Sequence, residues 1–87
     1  MPSSSKINVF RIRHQIGAQT YLTPEFIGSY RDCQDWLLDK RRDLVSDRQW
    51  YSPSVKISSR VQITGYAGLS AWNANEGQRH LWVITTG

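Results

Sequence analysis

Cysteine is almost missing from this chain. Cys33 stands alone among 87 residues, so no intrachain disulfide can form and no metal site can rest on thiolates, which points to a reducing compartment. Long hydrophobic runs are missing too. The longest clean one is "LWVI" at 81–84, far short of the ~18–20 apolar residues of a membrane-spanning helix. The opening "MPSSSKINVF" has no apolar stretch of the kind a signal peptide needs. The expectation is a cytoplasmic protein without membrane association, residues 1–5 forming a loose polar tail and residues 6–87 a single domain. Carboxylates are scarce as well, seven against eleven Lys and Arg, for a formal net charge of +4. Four of them, Asp32, Asp35, Asp39 and Asp43, share one helical segment, where a charged solvent face accounts for them.

Catalytic signatures are equally sparse. "GLSAW" at 68–72 lacks the final glycine of a nucleophile elbow, and no glycine-rich run ends in Gly-Lys-Ser/Thr to cradle a phosphate. "GYAG" at 65–68 spells a G-x-x-G loop, but it falls between strand-like segments rather than helices, so a bend or bulge explains its glycines. Cys33 lies on the apolar flank of its helix and reads as a packing residue. His14 ends one strand-like segment and His80 begins another; neighbouring strands would bring them together, yet two imidazoles without a third ligand make a poor metal site. No carboxylate pair is spaced for acid–base work. Neither an enzyme nor a cofactor is expected.

What the chain does have is alternation and aromatics. "SVKISSRVQIT" (54–64) sets Val55, Ile57, Val61 and Ile63 against Lys56, Ser58, Arg60, Gln62 and Thr64, the period of a half-buried strand. "KINVFRIRH" (6–14) and "QTYL" (19–22) read as a hairpin turning at Gly17. Thr23-Pro24-Glu25 has the order of a helix cap and first turn over 24–27, and Ser29 with Asp32 caps a main helix over 29–45. That helix places Tyr30, Cys33, Leu37, Leu44 and Val45 on one flank, widened by Trp36 and Leu38. Its basic residues Lys40, Arg41 and Arg42 suit its C-terminal half, and Arg31 with Asp35 forms an (i, i+4) pair. A polar loop over 46–54, a segment over 65–72, a turn over 73–78 and a last strand over 79–86 complete the chain.

The order ββαββ, with room for a fifth strand, predicts an α+β two-layer sandwich: one main helix on a four- or five-stranded, mainly antiparallel sheet. A β-grasp arrangement satisfies this order and sets the first and last strands side by side at the sheet centre. Those two segments are apolar at both parities, Ile7 and Val9 against Phe10 and Ile12, and Leu81 and Val83 against Trp82 and Ile84. A lone helix covers one side, so the other side calls for further cover.

Two binding roles follow. The first is a protein-binding module, anchored by Trp50, Tyr51, Trp72 and Trp82, residue types that bury much area for little lost rotamer freedom. Its basic balance favours an acidic protein surface or a nucleoprotein complex as partner, and a homodimer would supply the same cover. By size and absence of catalytic groups, the chain suits an adaptor or a stoichiometric inhibitor, such as a phage or mobile element makes against a nucleoprotein machine. The second role is direct nucleic-acid binding, with Lys56, Arg60, Arg11 and Arg13 holding phosphates and Tyr66 stacking a base.

Overall fold

The computed structural model describes residues 9–21, 23–57 and 66–86. The tail 1–5, Ile7, and the far half of the alternating stretch with Arg60 lie outside the described residues. Strands β1 (Phe10–Ile16), β2 (Gln19–Thr20) and β3 (Phe26–Gly28) precede helix α1 (Tyr30–Val45). Strands β4 (Trp50–Ile57), β5 (Ala67–Asn73) and β6 (Gln78–Thr85) follow it. All strand pairs are antiparallel, in the order β2-β1-β6-β5-β4, with β3 also beside β1. One helix on one antiparallel sheet is the two-layer α+β arrangement read from the sequence.

The first and last strands are neighbours, with Ile12 opposite Ile84 and His14 opposite Trp82. They run antiparallel, whereas a β-grasp sheet pairs its terminal strands in parallel, so the β-grasp order is not adopted. The second half of the chain is instead a plain meander, β4-β5-β6, closed against β1.

Residues 24–27 do not form a helical turn. The Glu25 N–H donates to the Ile12 carbonyl at 2.8 Å, and Phe26, Ile27 and Gly28 pair with Ile12, Arg11 and Phe10. Thr23-Pro24-Glu25 matches a helix start, but a single turn fixes several residues for very few hydrogen bonds and does not persist alone. The β1 ladder offers those same residues bonded partners. β2 and β3 are therefore two pieces of one return strand, with residues 23–25 outside either piece. Its last residue is Gly28, where a Cβ would meet the Phe26 ring at 2.9 Å.

The main helix begins where expected. Ser29 is extended (φ −68, ψ 164), and its hydroxyl accepts the Asp32 N–H at 3.1 Å, satisfying one of the orphan donors of the first turn. Ser29→Ala should cost about 1 kcal/mol, seen as a lower urea midpoint with an unchanged slope. Cys33, Leu37 and Leu44 are buried beneath the helix, with Tyr30 and Trp36 half-buried beside them. Leu38 and Val45, expected to extend that flank, face outward. Among the described residues the ion pair within the helix is Arg42–Asp39 at 3.5 Å, and Arg31 and Asp35 do not form one; both partners of the pair are solvated, so it contributes little.

The 46–54 segment is no polar loop throughout, since Trp50 and Tyr51 open strand β4. Tyr51 sits opposite Trp72 and Ser54 opposite Ser70, so β4 takes three steps where β5 takes two. That extra residue is a β-bulge, with Ser52 in the left-handed region at φ 54. The Arg41 Nε–H donates to the Pro53 carbonyl at 3.2 Å, tying the helix to the bulge. The core lies between helix and sheet: Ile12, Leu69, Ala71, Trp82 and Ile84 from the strands meet Cys33, Leu37 and Leu44.

Candidate binding face

Register decides which side chains share the side of the sheet turned away from the helix, because alternate residues point to opposite faces. Phe10, Ile12, His14, His80, Trp82, Ile84, Leu69, Ala71, Trp50 and Val55 share the helix side. The reverse side carries four cross-strand rows. Two central ones read Lys56–Gly68–Val83–Arg13 and Ser54–Ser70–Leu81–Gln15. Tyr51–Trp72–Arg79 closes one end and Thr85–Arg11–Ile27 the other.

Among the described residues no helix covers this face, and the charges at its strand positions are of one sign. Among the described residues the chain has one helix, and it lies on the opposite side. Tyr51 is 57% exposed and Trp72 39% exposed, side by side across β4 and β5. Four cations, Arg11, Arg13, Lys56 and Arg79, occupy its strand positions, and no carboxylate does. Arg79 donates from Nη1 to the Ser70 hydroxyl at 3.0 Å and Arg11 from Nη1 to the Thr86 carbonyl at 3.3 Å. These bonds hold guanidiniums along the sheet rather than letting them extend freely. Leu81 and Val83 lie half-buried in the middle, beside Gly68, whose missing side chain leaves a low floor between Val83 and Lys56.

The residues expected to bind a partner are divided by this geometry. Tyr51 and Trp72 share the bare face. Trp82 does not: it is 2% exposed in the core. Trp50 packs beside it, ring centroids 5.7 Å apart, and completes the core as well. Of the residues expected to meet nucleic acid, Arg11, Arg13 and Lys56 lie together on the bare face. Tyr66 does not join them, because its ring packs on Phe10 and Tyr30 against the core. Arg60 lies outside the described residues. The apolar parity also shrinks: β1 presents Arg11, Arg13 and Gln15 on this side, leaving Leu81 and Val83 as its central apolar residues. Arg79 went unnoticed in the sequence, although it has the parity of Leu81 and Val83.

A second cluster lies on the helix side, at the seam of β1 and β6. His14 and His80 do meet, with His14 Nε2 and His80 Nδ1 2.8 Å apart. Each ring has a carboxylate at its far nitrogen. Glu76 Oε1 lies 2.6 Å from His80 Nε2 and Glu25 Oε2 lies 4.0 Å from His14 Nδ1. The Asn73 side chain positions Glu76 by accepting its N–H at 2.9 Å, and Gly77 at φ 67 closes that turn. Aromatic rings wall the pair in. Trp82 stacks on His14 at 4.7 Å and 7°, and Trp50 meets His80 edge-on at 4.7 Å. Burial, then His80, hold the His14 pKa below its ordinary value, with Lys40 adding to them and Glu25 and Glu76 opposing. Lys40 reaches over the Trp82 ring, 5.5 Å from its centroid.

Among the described residues, no group of three or more His, Cys, Asp and Glu side chains is placed to hold a metal ion. Cys33 is buried, and burial with the Asp32 charge raises its thiol pKa, the setting of an inert packing cysteine. No described helix is long and apolar enough to cross a membrane. Comparison with protein-family models, curated proteins and solved structures finds no match to this chain.

Proposed function

We propose that this chain is a stoichiometric protein-binding module whose bare sheet face docks an acidic protein surface. The observation that supports this reading is the union on one face of Tyr51, Trp72, Arg11, Arg13, Arg79 and Lys56 with no carboxylate at its strand positions. Aromatics and arginines are the side chains that most often anchor interfaces, and a field of one sign selects partners of the other and speeds their encounter. Strands of seven or eight residues, at ~3.3 Å per residue and ~4.8 Å between neighbours, give a face about 25 Å long and 20 Å wide. With its relief and rim, such a face approaches the ~800 Å² that each side of a standard interface buries.

The same cations favour nucleic acid as a second reading. Arg13 and Lys56 stand at the two ends of one row, about three strand spacings or ~14 Å apart. Immobilised protein exposed to nuclease-treated lysate separates the two. A discrete protein retained by the wild type and lost from the Tyr51→Ala/Trp72→Ala double variant supports the first reading. Captured material that disappears on nuclease treatment, and whose log affinity for a DNA duplex falls by ~0.9 per phosphate neutralised as log salt rises, replaces it with the second.

A further inference from the structure

We propose that the Glu25–His14–His80–Glu76 chain is a proton-operated latch on the β1–β6 seam, closed while the two imidazoles are neutral and released when both are charged. It lies on the opposite side of the sheet from the bare face and stands or falls independently of the partner.

Hydrogen-bond directions follow from the contacts. A carboxylate only accepts, so at 2.6 Å from Glu76 Oε1 the His80 Nε2 carries a hydrogen. A neutral His80 then has a bare Nδ1. The facing His14 Nε2, 2.8 Å away, must carry the hydrogen it donates there. Neutral His14 is left with a bare Nδ1, turned toward Glu25 Oε2 at 4.0 Å. One tautomer of each ring therefore makes both short contacts, His80 to Glu76 and His14 to His80, while His14 Nδ1 and the Glu25 carboxylate, both acceptors, face each other unbonded. A first added proton fits on His14 Nδ1, where Glu25 can face it, and leaves the central bond intact. A second has no such place. It would put N–H groups on both facing nitrogens, two positive charges 2.8 Å apart with no acceptor between them.

The surroundings oppose that second charge. Trp82, Trp50 and Tyr21 pack their rings on the pair, and Lys40 adds a positive charge from the helix. Glu25, on the approach to β3, and Glu76, in the β5–β6 turn, are the two favourable charges. With the folded His14 pKa below 6.5, its neutral form is the one the fold prefers. The stability it contributes is full above the unfolded value and is lost as pH falls through the lower folded value.

Two amides bonded to carbonyls of the joined strands report its release: Tyr21 N–H, just past β2, bonds the His14 carbonyl at 2.9 Å, and Gly17 N–H, in the turn after β1, bonds the Arg79 carbonyl at 3.0 Å. Hydrogen exchange on the whole chain, corrected for intrinsic rates, tests the proposal between pH 7.5 and 5.0. Protection at Gly17 and Tyr21 should fall about tenfold or more while the Leu37 amide in the helix holds, the pattern of a local rather than global opening. In His14→Gln, whose amide can donate to or accept from His80 but takes up no proton, that fall should vanish. Unchanged wild-type protection, an equal fall at Leu37, or an equal fall in the variant overturns the latch. Imidazole ¹⁵N shifts at pH 7.5 give an independent reading. They should show His80 protonated at Nε2 and bare at Nδ1, and rapid averaging of both tautomers would likewise overturn it.

Discussion

Leu37→Ala should strip this domain of most of its stability, by ~2–5 kcal/mol, while Leu38→Ala one residue later should stay within ~0.5 kcal/mol. The two side chains are identical and adjacent, but Leu37 is fully buried among Ile12, Leu69 and Ile84, whereas Leu38 is 51% exposed. Truncating Leu37 loses the transfer energy of its methyl groups and leaves a void that a close-packed core refills only in part. A domain of this size rarely has more than ~5–10 kcal/mol to lose. A urea titration read by tryptophan fluorescence checks both variants. At slopes of ~1–3 kcal/mol per molar, the Leu37 midpoint should fall by at least ~0.7 M and the Leu38 midpoint should barely move.

The second large effect concerns binding. Tyr51→Ala/Trp72→Ala should weaken partner capture by at least ~30-fold, on the scale of one lost hot spot, with a much smaller change in unfolding midpoint than any core truncation. Both rings are substantially exposed, so little of their area is at stake in folding. Trp82→Ala offers the contrast. It should collapse the fold itself, since that ring lies in the core against His14, Trp50 and His80. Surface plasmon resonance with the captured partner, alongside the urea midpoints, separates a binding defect from a folding one. If the double variant binds as tightly as the wild type, the bare face is not the docking surface.

The helix was readable because its determinants are local. Ser29 and Asp32 mark its start, and Cys33, Leu37 and Leu44 repeat at helical spacing. The return strand was not, because Thr23-Pro24-Glu25 speaks locally for a helix and only pairing with a distant Arg11 and Ile12 overrides it. Trp50 and Tyr51 could not be sorted for a different reason. Adjacent residues must face opposite ways, but which one meets the core depends on a bulge that has Ser52, not glycine, in the left-handed conformation. Trp72 and Trp82 look alike in sequence, and register alone sends one outward and one inward. The parity of Lys56 and Val55 was legible, and so was the meeting of the histidines, as a condition on strand order. The carboxylates at their far nitrogens were not, because Glu25 arrives with the misread segment and Glu76 through the Asn73 turn.

The interrupted return strand and the bulge have one consequence in common. On one lateral margin of the sheet, β2 and β3 leave a gap containing Pro24, which has no N–H to donate. On the other, the backbone of β4 is diverted at Ser52 and again lacks a donor at Pro53. An incoming extended peptide, or a second copy growing toward a cross-β fibril, needs an unbroken template of donors and acceptors. Among the described residues, both margins interrupt that template. Edge-to-edge self-association is thereby discouraged at both margins.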